Sequence, residues 1–384
     1  MRVLLAASLG GVGHLEPVVT VGQALRRIGH DPLVLVPPSL KGAVERTDLP
    51  HVVGDQPPAA AVEAIWDRVR AGPADTVAGL IDRELFADRC TAAMLAAARS
   101  ACEAWKPRLV VREPCEYASA VVACEAGIAQ VQVGLSLADL ESGVLAMVEP
   151  IIERYRAGVA GAIREAPYLT RFPGSLDPSP WTDTRRYRQP EPAARPLPDW
   201  WPADDGPLVY VSFGSVLSHL PEATDVYRAA LDAVADVPAR VLMTVGRAFD
   251  VARLGVVPGN VHVEPWVPQA DVLAKASVVV CHGGSGTTFG ALAAGVPLVV
   301  CPLFADQPFN GRLVEAAGAG VLVVPHSDSA GALRALGAAD VAPLRAAVQR
   351  VLGEPVYRDA AQRVAREMAT APTLEEVLHG VCSS

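Results

Sequence analysis

The most informative segment of the sequence is Ser277-Val-Val-Val-Cys-His282-Gly-Gly-Ser-Gly-Thr-Thr288, which continues in a helical pattern to about Ala294. Its apolar run is typical of a buried strand, and the glycines that follow predict a tight turn into a helix. Glycines let the backbone approach a ligand, and a helix N-terminus attracts anions through its free amides and its dipole. The stretch therefore predicts a phosphate site with His282 as a further donor. The alternative is a turn that only connects a strand to a helix.

Similar strand-helix units recur on both sides of this stretch. Strands are predicted near 2–7, 31–36, 108–112 and 130–134, and again near 208–212, 240–245, 278–281, 298–301 and 320–324. Helices such as Leu15 to Ile28 lie between them, and two end at Gly29 and Gly127. This alternation predicts parallel sheets of the α/β class. Because 384 residues exceed one typical core, the two series predict two domains.

The segment between the two series is rich in proline and has no clear periodicity from about residue 167 to 206. Proline at this density excludes regular helix and central strand, so we predict an interdomain linker there. The expected domains are 1–205 and 206–355, and helices in 356–384 are expected to pack back on the first domain. The alternative is that the proline-rich segment is an ordered surface loop of the first domain.

Composition limits the partners. A net charge of -9 disfavours nucleic acid, which needs a clustered basic face, and no apolar stretch reaches the roughly 18 residues that span a bilayer. The seven cysteines lack C-x-x-C spacing and predict free thiols in a reducing cytoplasm. The apolar start resembles a signal peptide, but it leads into Gly10-Gly-Val-Gly13 and is better explained as a first strand and loop. The oligomeric state stays open, a homodimer included.

Four motifs follow one another between Trp266 and Asn310: Trp266-Val-Pro-Gln269, His282-Gly-Gly-Ser-Gly-Thr, Ala294-Gly-Val-Pro297 and Phe304-Ala-Asp306-Gln307-Pro-Phe-Asn310. In order and spacing they resemble the sugar-nucleotide signature of the family 1 glycosyltransferases. That family has the GT-B fold, in which two Rossmann-like domains have parallel sheets facing across a cleft. The resemblance is closest to transferases that decorate antibiotic-like natural products.

The resemblance also implies donor-binding residues. Trp266 would lie beside the nucleobase and Gln269 near the base and ribose, while Asp306 and Gln307 would bind hydroxyls of the sugar. Ser212-Phe-Gly214-Ser215 resembles the family's loop against the diphosphate. The full implied set is Gly13, Ser215, Trp266, Val267, Gln269, His282, Gly284, Ser285, Gly286, Thr287, Asp306 and Gln307. The structural alternatives are a core or domain-edge aromatic for Trp266 and a helix N-cap for Asp306.

Position 290 departs from the family pattern. Members that use uridine donors often carry glutamate eight residues after the histidine, where it can accept from the ribose hydroxyls. Here that residue is Gly290. Selection for a 2'-hydroxyl is weaker without the carboxylate, so the sequence favours a thymidine diphosphate sugar as co-substrate.

The N-terminal motif is Gly10-Gly-Val-Gly13-His14-Leu-Glu-Pro17. An acceptor hydroxyl attacks well only if a base takes its proton, and histidine suits that task near neutral pH. Gly13-His14-x-x-Pro17 and Gly29-His30 resemble the family motif that carries the catalytic base. The resemblance further implies an orienting carboxylate after a later strand, where the family most often has aspartate and this chain has Glu113. Glu116 is the reserve choice, and a purely structural role is the alternative for both His14 and Glu113.

These residues predict an inverting single displacement onto a hydroxyl of a small hydrophobic natural-product aglycone. No Asp-x-Asp occurs, which agrees with metal-independent transfer, and no cofactor is expected beyond the nucleotide sugar. The acceptor pocket is expected from the apolar segments 57–89 and 135–163. The competing hypotheses are a sugar-nucleotide epimerase of the same fold and a catalytically silent helper protein. A cell-wall lipid acceptor is also conceivable, but no basic-apolar membrane patch supports it.

Overall fold

The computed structural model describes residues 1–72, 79–190, 193–200, 206–326 and 334–383. The chain divides into two compact units, the first comprising Met1–Pro190 with Ala371–Ser384 and the second Glu191–Thr370. Each unit contains its own parallel sheet with helices packed against it. The predicted α/β class with two Rossmann-like halves is confirmed.

Short strands form the sheet of the first unit. They are β1 (Arg2–Ala6), β2 (Asp31–Val36), β3 (His51–Val53), β4 (Leu109–Arg112), β5 (Ala129–Val133), β6 (Tyr168–Thr170) and β7 (Thr184–Arg186). Their spatial order is β3-β2-β1-β4-β5-β6-β7, with every pairing parallel. The order reverses between β1 and β4, so the carboxyl ends of these two central strands lie side by side, which is where α/β sheets bind ligands.

Helices of the first unit connect these strands. They are α1 (Val12–Arg27), α2 (Lys41–Val44), α3 (Ala59–Ala71), the π-helical α4 (Ile81–Cys90), α5 (Thr91–Trp105), α6 (Ala118–Ala126), α7 (Ala138–Ile152) and α8 (Val159–Glu165). Helix α1 presents one apolar face to the sheet, and its residues Leu15, Val18 and Leu25 are buried with Val3 and Leu5 of β1. That packing fixes the first turn of α1 at the carboxyl end of β1.

The second unit repeats the architecture. Its strands are β8 (Leu208–Ser212), β9 (Arg240–Thr244), β10 (Val261–Glu264), β11 (Val278–Cys281), β12 (Leu298–Val300) and β13 (Gly320–Leu322). They pair in parallel in the order β10-β9-β8-β11-β12-β13. The order again reverses at the centre, between β8 and β11, so the loops after these strands share one edge.

The helices of the second unit are α9 (Ala223–Val234), α10 (Gln269–Leu273), α11 (Ser285–Ala293), α12 (Gln307–Ala316), α13 (Ala338–Gly353) and α14 (Pro355–Thr370). Helix α14 packs on α11. The last helix, α15 (Leu374–Ser383), belongs to the first unit and packs on α1, where Arg27 pairs with Glu375. Of the segment 356–384 that was expected on the first domain, only the part from Ala371 onward joins it.

The proline-rich segment differs from the expected linker. Strands β6 and β7 lie within it, and the first unit extends to Pro190 rather than to residue 205. Both strands have three residues and lie at the end of the sheet, where proline can flank a strand without breaking an inner ladder. This much of the segment fits the alternative of an ordered part of the first domain.

No helix in the described ranges combines the length and apolarity that crossing a membrane requires. The cysteines are all free thiols, and four of them, Cys90, Cys102, Cys281 and Cys301, are buried.

Candidate active site

His14 lies in the first turn of α1, directly after the loop that leaves β1. Gly11 precedes the helix with φ +75, a conformation that favours glycine. A Cβ on Gly10 would lie 2.1 Å from Cδ2 of His14, so the imidazole occupies the space that any larger residue at position 10 would need. The side chain of His14 is 20% exposed, which leaves part of the ring open to a ligand.

Glu113 follows β4 and lies against His14. The distance from His14 Nδ1 to Glu113 Oε1 is 3.3 Å, and the carboxylate is fully buried. Its two oxygens accept from backbone amides, Oε1 from Ser8 at 2.8 Å and Oε2 from Cys115 at 2.6 Å. The loops after β1 and β4 therefore hold the carboxylate in one orientation, with one oxygen toward the imidazole.

Glu116, the reserve choice, is used differently. Its carboxylate accepts from the backbone amide of Ser119 at 3.0 Å and from the Ser119 hydroxyl, at the start of α6. Burial raises the pKa of Glu116. The structure thus pairs Glu113 with His14 and places Glu116 at a helix end.

Helix α4 supplies two neighbours of His14 that the sequence did not predict. The ring of Phe86 lies 5.4 Å from the imidazole, centroid to centroid. Asp82 stands one helical turn earlier. Burial raises the pKa of its carboxyl, while its own amide, Arg83 and His14 oppose that rise in part. No local pattern in the sequence indicated this contact, because it depends on how a π-helical turn packs on α1.

His14, Glu113 and Cys115 offer ligand atoms that all lie within 4.8 Å of one another, so a metal site has to be tested. Burial raises the pKa of Cys115 well above its usual value, which keeps the thiol protonated, whereas metals bind the thiolate. Both oxygens of Glu113 already accept from amides. The donor set fits proton transfer by His14 better than it fits a cation.

The glycine turn of segment 277–288 connects β11 to α11 as predicted. Gly283 has φ +88, and a Cβ there would lie 2.8 Å from Val300 Cγ1 and 2.9 Å from the carbonyl oxygen of Gln307. Gly284 is the N-cap of α11, and its helix has no side-chain cap among the described residues. The amides of Ser285, Gly286 and Thr287 in the first turn are therefore available to an anion.

His282 lies between two glycine loops. Cβ atoms on Gly214 and Gly284 would come within 2.8 and 2.5 Å of its Nε2, so both loops approach the ring at van der Waals distance only because they carry no side chain. Burial lowers the pKa of His282 to about 4, although Asp306 and the Ser212 backbone act in the opposite direction. The imidazole is neutral at pH 7 and can donate one N–H.

A hydrogen-bond network links the turn to the start of α12. Asp306 Oδ2 accepts from the Ser285 hydroxyl at 2.9 Å and from Asn310 Nδ2 at 3.2 Å. Asn310, which is fully buried, also donates to the Gly283 carbonyl at 2.8 Å. Asp306 is the N-cap residue of α12 but makes no side-chain cap hydrogen bond there, so its carboxylate is directed to the turn instead. Asn310 belongs to the sequence motif, but no local pattern indicated this role for it.

The other predicted donor residues differ in accessibility. Gln307 is 3% exposed, and its Oε1 accepts from the amides of Leu303 at 2.8 Å and Phe304 at 3.0 Å. Its carbonyl oxygen therefore stabilises the loop before α12. Val267 is 9% exposed, so its backbone is the part that could meet a ligand. Ser215, Gly286 and Gly13 are exposed or open to solvent, and Thr287 is half-buried.

Trp266 is 53% exposed. The guanidinium of Arg247 lies over its ring, with 4.6 Å between Arg247 Cζ and the ring centroid. A cation on one face leaves the other face for a planar ligand such as a nucleobase. Near it, a Cβ on Gly290 would lie 3.5 Å from Gln269 Oε1, an ordinary contact. Gln269 thus occupies the space beside position 290. Sequence analysis missed Arg247, which lies nineteen positions before its partner in the chain.

Comparison with known proteins identifies relatives along the whole chain. Residues 228–383 match the family described as Erythromycin biosynthesis protein CIII-like, C-terminal domain. L-demethylnoviosyl transferase of Streptomyces niveus is 31% identical over 100% of this chain and 98% of its own length. TDP-daunosamine transferase DnrS of Streptomyces peucetius is 30% identical over 98% and 97%. The crystal structure of the glycosyltransferase SnogD from Streptomyces nogalater superposes with a TM-score of 0.77 at 29% identity, covering 100% of this chain and 99% of that one.

Proposed function

The chain belongs to the family 1 glycosyltransferases of the natural-product type, and from this membership we propose that it transfers a deoxysugar from dTDP to a hydroxyl group, with inversion and without a metal ion. The observation that carries the proposal is the pair formed by His14 and Glu113, 3.3 Å apart at the carboxyl edge of the first sheet. The relatives of the chain are transferases, and this argues against an epimerase and against a catalytically silent helper protein.

The base step follows from the orientation of the pair. A carboxylate against Nδ1 favours the tautomer with the proton on that nitrogen, so Nε2 keeps the lone pair that can accept the acceptor's proton. As the acceptor oxygen bonds to C1 of the sugar, its proton passes to Nε2 of His14 and the C1–O bond to the diphosphate breaks. The fixed carboxylate of Glu113 stabilises the imidazolium that results, and that proton later returns to solvent.

The leaving diphosphate takes the electron pair of the broken bond. The uncapped amides of α11 and its dipole supply fixed positive potential for that charge. His282 is neutral in the free protein, and an adjacent dianion favours its protonated form. These groups would stabilise the leaving group without a divalent cation, and the protonated state of Cys115 argues against a metal at His14 as well.

Position 290 supports a thymidine donor. Gly290 offers no carboxylate to a 2'-hydroxyl, and Gln269 lies over it. A 2'-deoxyribose needs no acceptor for a 2'-hydroxyl, whereas the 2'-hydroxyl of ribose would find no carboxylate at position 290. The name of the relative DnrS, a TDP-daunosamine transferase, agrees with this choice.

The acceptor is proposed to be a small apolar molecule. Segments 57–89 and 135–163 form α3, α4, α7 and α8, apart from 73–78, which lie outside the described residues. These helices share an apolar cluster that includes Ile65, Phe86 and Leu145, and Phe86 also contacts His14. A hydrophobic ring bound on this side would bring its hydroxyl to the imidazole.

The experiment is transfer from dTDP-glucose, used as the probe donor, to a panel of phenolic aglycones in the presence of EDTA. Proton NMR of the product reads the anomeric configuration directly. A β-glycoside from the α-linked donor, formed at the same rate with and without EDTA, is expected. An α-glycoside would contradict inversion, and loss of turnover in EDTA would contradict metal independence.

A further inference from the structure

The residue before Glu113 is a fully buried arginine. Arg112 ends β4, has no solvent exposure and is among the largest completely buried side chains. Burying a guanidinium costs free energy unless its donors are all engaged, so its place beside the catalytic pair needs a reason.

The guanidinium holds the loop that carries Glu113. Nη1 donates to the carbonyl of Glu113 at 3.1 Å and to that of Glu116 at 3.4 Å. On the other side, Nη2 donates to Gln132 Oε1 at 2.6 Å and Nε to Gln130 Oε1 at 3.5 Å. Both glutamines belong to β5, so one side chain ties both ends of the loop to the neighbouring strand.

Arg112 is not neutralised by a direct ion pair. In the described part of the chain, its hydrogen-bond acceptors are the carbonyl oxygens of the backbone and of two glutamine side chains, and no carboxylate forms a salt bridge with it. Burial lowers the pKa of Arg112, and nearby Tyr117, Glu116, Glu113 and Glu141 counteract this. The guanidinium charge favours the ionised forms of these acids, whereas burial opposes their ionisation and raises the pKa of Glu116 and Glu141.

We propose that Arg112 is the positioning residue of the His14–Glu113 pair: its hydrogen bonds aim the Glu113 carboxylate at Nδ1, and its charge keeps His14 readily deprotonated. The inference rests on the proposed function, in which His14 is the base. Other titratable groups face the pair, namely Asp82 from α4, Cys115 and Glu116 from the loop, Tyr117 and, from α7, Glu141. None of them bonds both ends of the loop as Arg112 does.

Two substitutions separate geometry from charge. Arg112→Lys keeps the cation but loses the planar fork, and Arg112→Met loses both. We expect Arg112→Lys to lower kcat about ten- to a hundredfold, as small misplacements at an active site do, with the KM for dTDP-glucose within about twofold. Its acid limb in the kcat profile should not move. Arg112→Met should lower kcat further and shift the acid limb to higher pH, because imidazolium is no longer opposed by a nearby cation.

Controls guard against a merely structural effect. Arg240 also holds a backbone carbonyl, that of Gly206, at 2.8 Å in the second unit, so Arg240→Lys should leave kcat and the acid limb unchanged. If Arg112→Met does not fold, Gln132→Leu removes one of the guanidinium's acceptors and should reproduce the Arg112→Lys result. Wild-type kcat in Arg112→Lys, or one common loss in both variants with no shift of the acid limb, would overturn the inference.

A readout without turnover keeps this test separate from the proposed function. In the full-length protein, the Cε1 proton of His14 reports its titration by NMR, with His14→Gln to assign the signal. The pKa of His14 should be higher in Arg112→Met than in the wild type and in Arg112→Lys. An unchanged His14 pKa in Arg112→Met would refute the role of Arg112 even if the protein transfers sugar. A raised pKa without any transfer activity supports Arg112 and counts against the proposed function instead.

Discussion

The position of the His14 ring and of its carboxylate partner is set largely by glycines and backbone groups. Gly10 gives the imidazole its space, Gly11 supplies the positive φ before α1, and the amide of Ser8 fixes the carboxylate that faces Nδ1. The chemistry at this position is therefore set by backbone as much as by the histidine. A substitution at His14 should remove the proposed base without disturbing the second unit, which contains all the proposed donor-binding residues except Gly13.

His14→Ala is accordingly expected to lower kcat about a hundred- to ten-thousandfold, the usual worth of a positioned general base. Binding of dTDP, measured by calorimetry on the same variant, should be unchanged. Glu113→Gln should also lower kcat, because its NH2 group cannot accept from the backbone amides that fix the carboxylate and a neutral amide cannot stabilise imidazolium. Unaltered turnover in His14→Ala would refute the base assignment.

Gly290→Glu tests the donor preference. The Cβ fits, since its nearest neighbour, Gln269 Oε1, would be 3.5 Å away, and the added carboxylate can accept from a 2'-hydroxyl. We expect the ratio of Kd for UDP to that for dTDP to fall about tenfold, the worth of one charge-assisted hydrogen bond. Gly290→Ala is the matched control and should keep the wild-type ratio. An identical shift in both variants would show that the carboxylate is not responsible.

Arg247→Ala tests the surface beside Trp266. The cation–π contact that holds one face of the indole is worth about 0.5–1 kcal/mol, and without it Trp266 is less well held for stacking on the base, so dTDP should bind several-fold more weakly. Isothermal titration calorimetry with dTDP gives the affinity. Arg247→Lys should lie between the two, and wild-type affinity in Arg247→Ala would show that Arg247 takes no part in binding.

Sequence analysis was most informative for residues that lie close together in the chain. The turn 282–287 and the loop 10–14 each have a local pattern, and Glu113 follows a clear apolar strand. Arg247, Phe86 and Arg112 were missed, because their contacts are set by the packing of separate elements. Gln307 was predicted to bind the sugar, yet its Oε1 is engaged with the backbone of its own loop.

At the scale of elements, the loop between β5 and α7 is held by a buried acid. Glu141 Oε1 accepts from the amides of Leu135 at 2.7 Å and Ser136 at 2.6 Å, and Oε2 accepts from the Tyr168 hydroxyl at 2.9 Å. Burial nevertheless raises the pKa of Glu141 to about 8, from 4.5. At neutral pH the side chain is mostly protonated in the folded protein.

This shift predicts the sign of a pH effect. Because the folded state binds the Glu141 proton more tightly than the unfolded state, stability decreases as pH rises from about 4.5 to about 8. Glu141→Gln should lack that pH dependence. The free energy of unfolding of the variant minus that of the wild type should therefore be more favourable to the variant at pH 9 than at pH 6. Urea unfolding at both pH values measures the difference. A gap that does not change with pH would contradict the assignment.

The turn between β11 and α11 is the second element whose geometry can be tested. Gly283→Ala places a Cβ within 2.9 Å of two neighbours at φ +88, which should cost about 1–3 kcal/mol of unfolding free energy and weaken dTDP binding. Gly259→Ala is the control, since nothing lies within 4 Å of its Cβ position. Equal stability of the two variants would mean that the turn tolerates the strain.

Strands with long apolar runs were predicted from the sequence more reliably than short strands. Strands with four or more buried residues in sequence, such as β8 and β11, were found at their positions. Strands β3, β6, β7 and β10 were missed, because runs of three or four residues are too short to carry a readable period. The π-helical geometry of α4 has no sequence signal that we used.

For the whole molecule, the division into units was predictable and its boundaries were less so. The chain leaves the first unit at Pro190 and returns to it at Ala371. Helix α14 stays in the second unit because it packs on α11, where Gly295 lies beside Gln362. An amphipathic pattern predicts that such a helix packs on something, but not on which sheet.

The proposed function requires that the protein bind thymidine diphosphate sugars in preference to uridine diphosphate sugars. Its most direct test is isothermal titration calorimetry of dTDP and UDP against the full-length protein in the presence of EDTA. We expect dTDP to bind without metal and about five- to tenfold more tightly than UDP, which is the worth of one unpaired hydroxyl. Equal or tighter binding of UDP, or binding that appears only when a divalent cation is added, would contradict it.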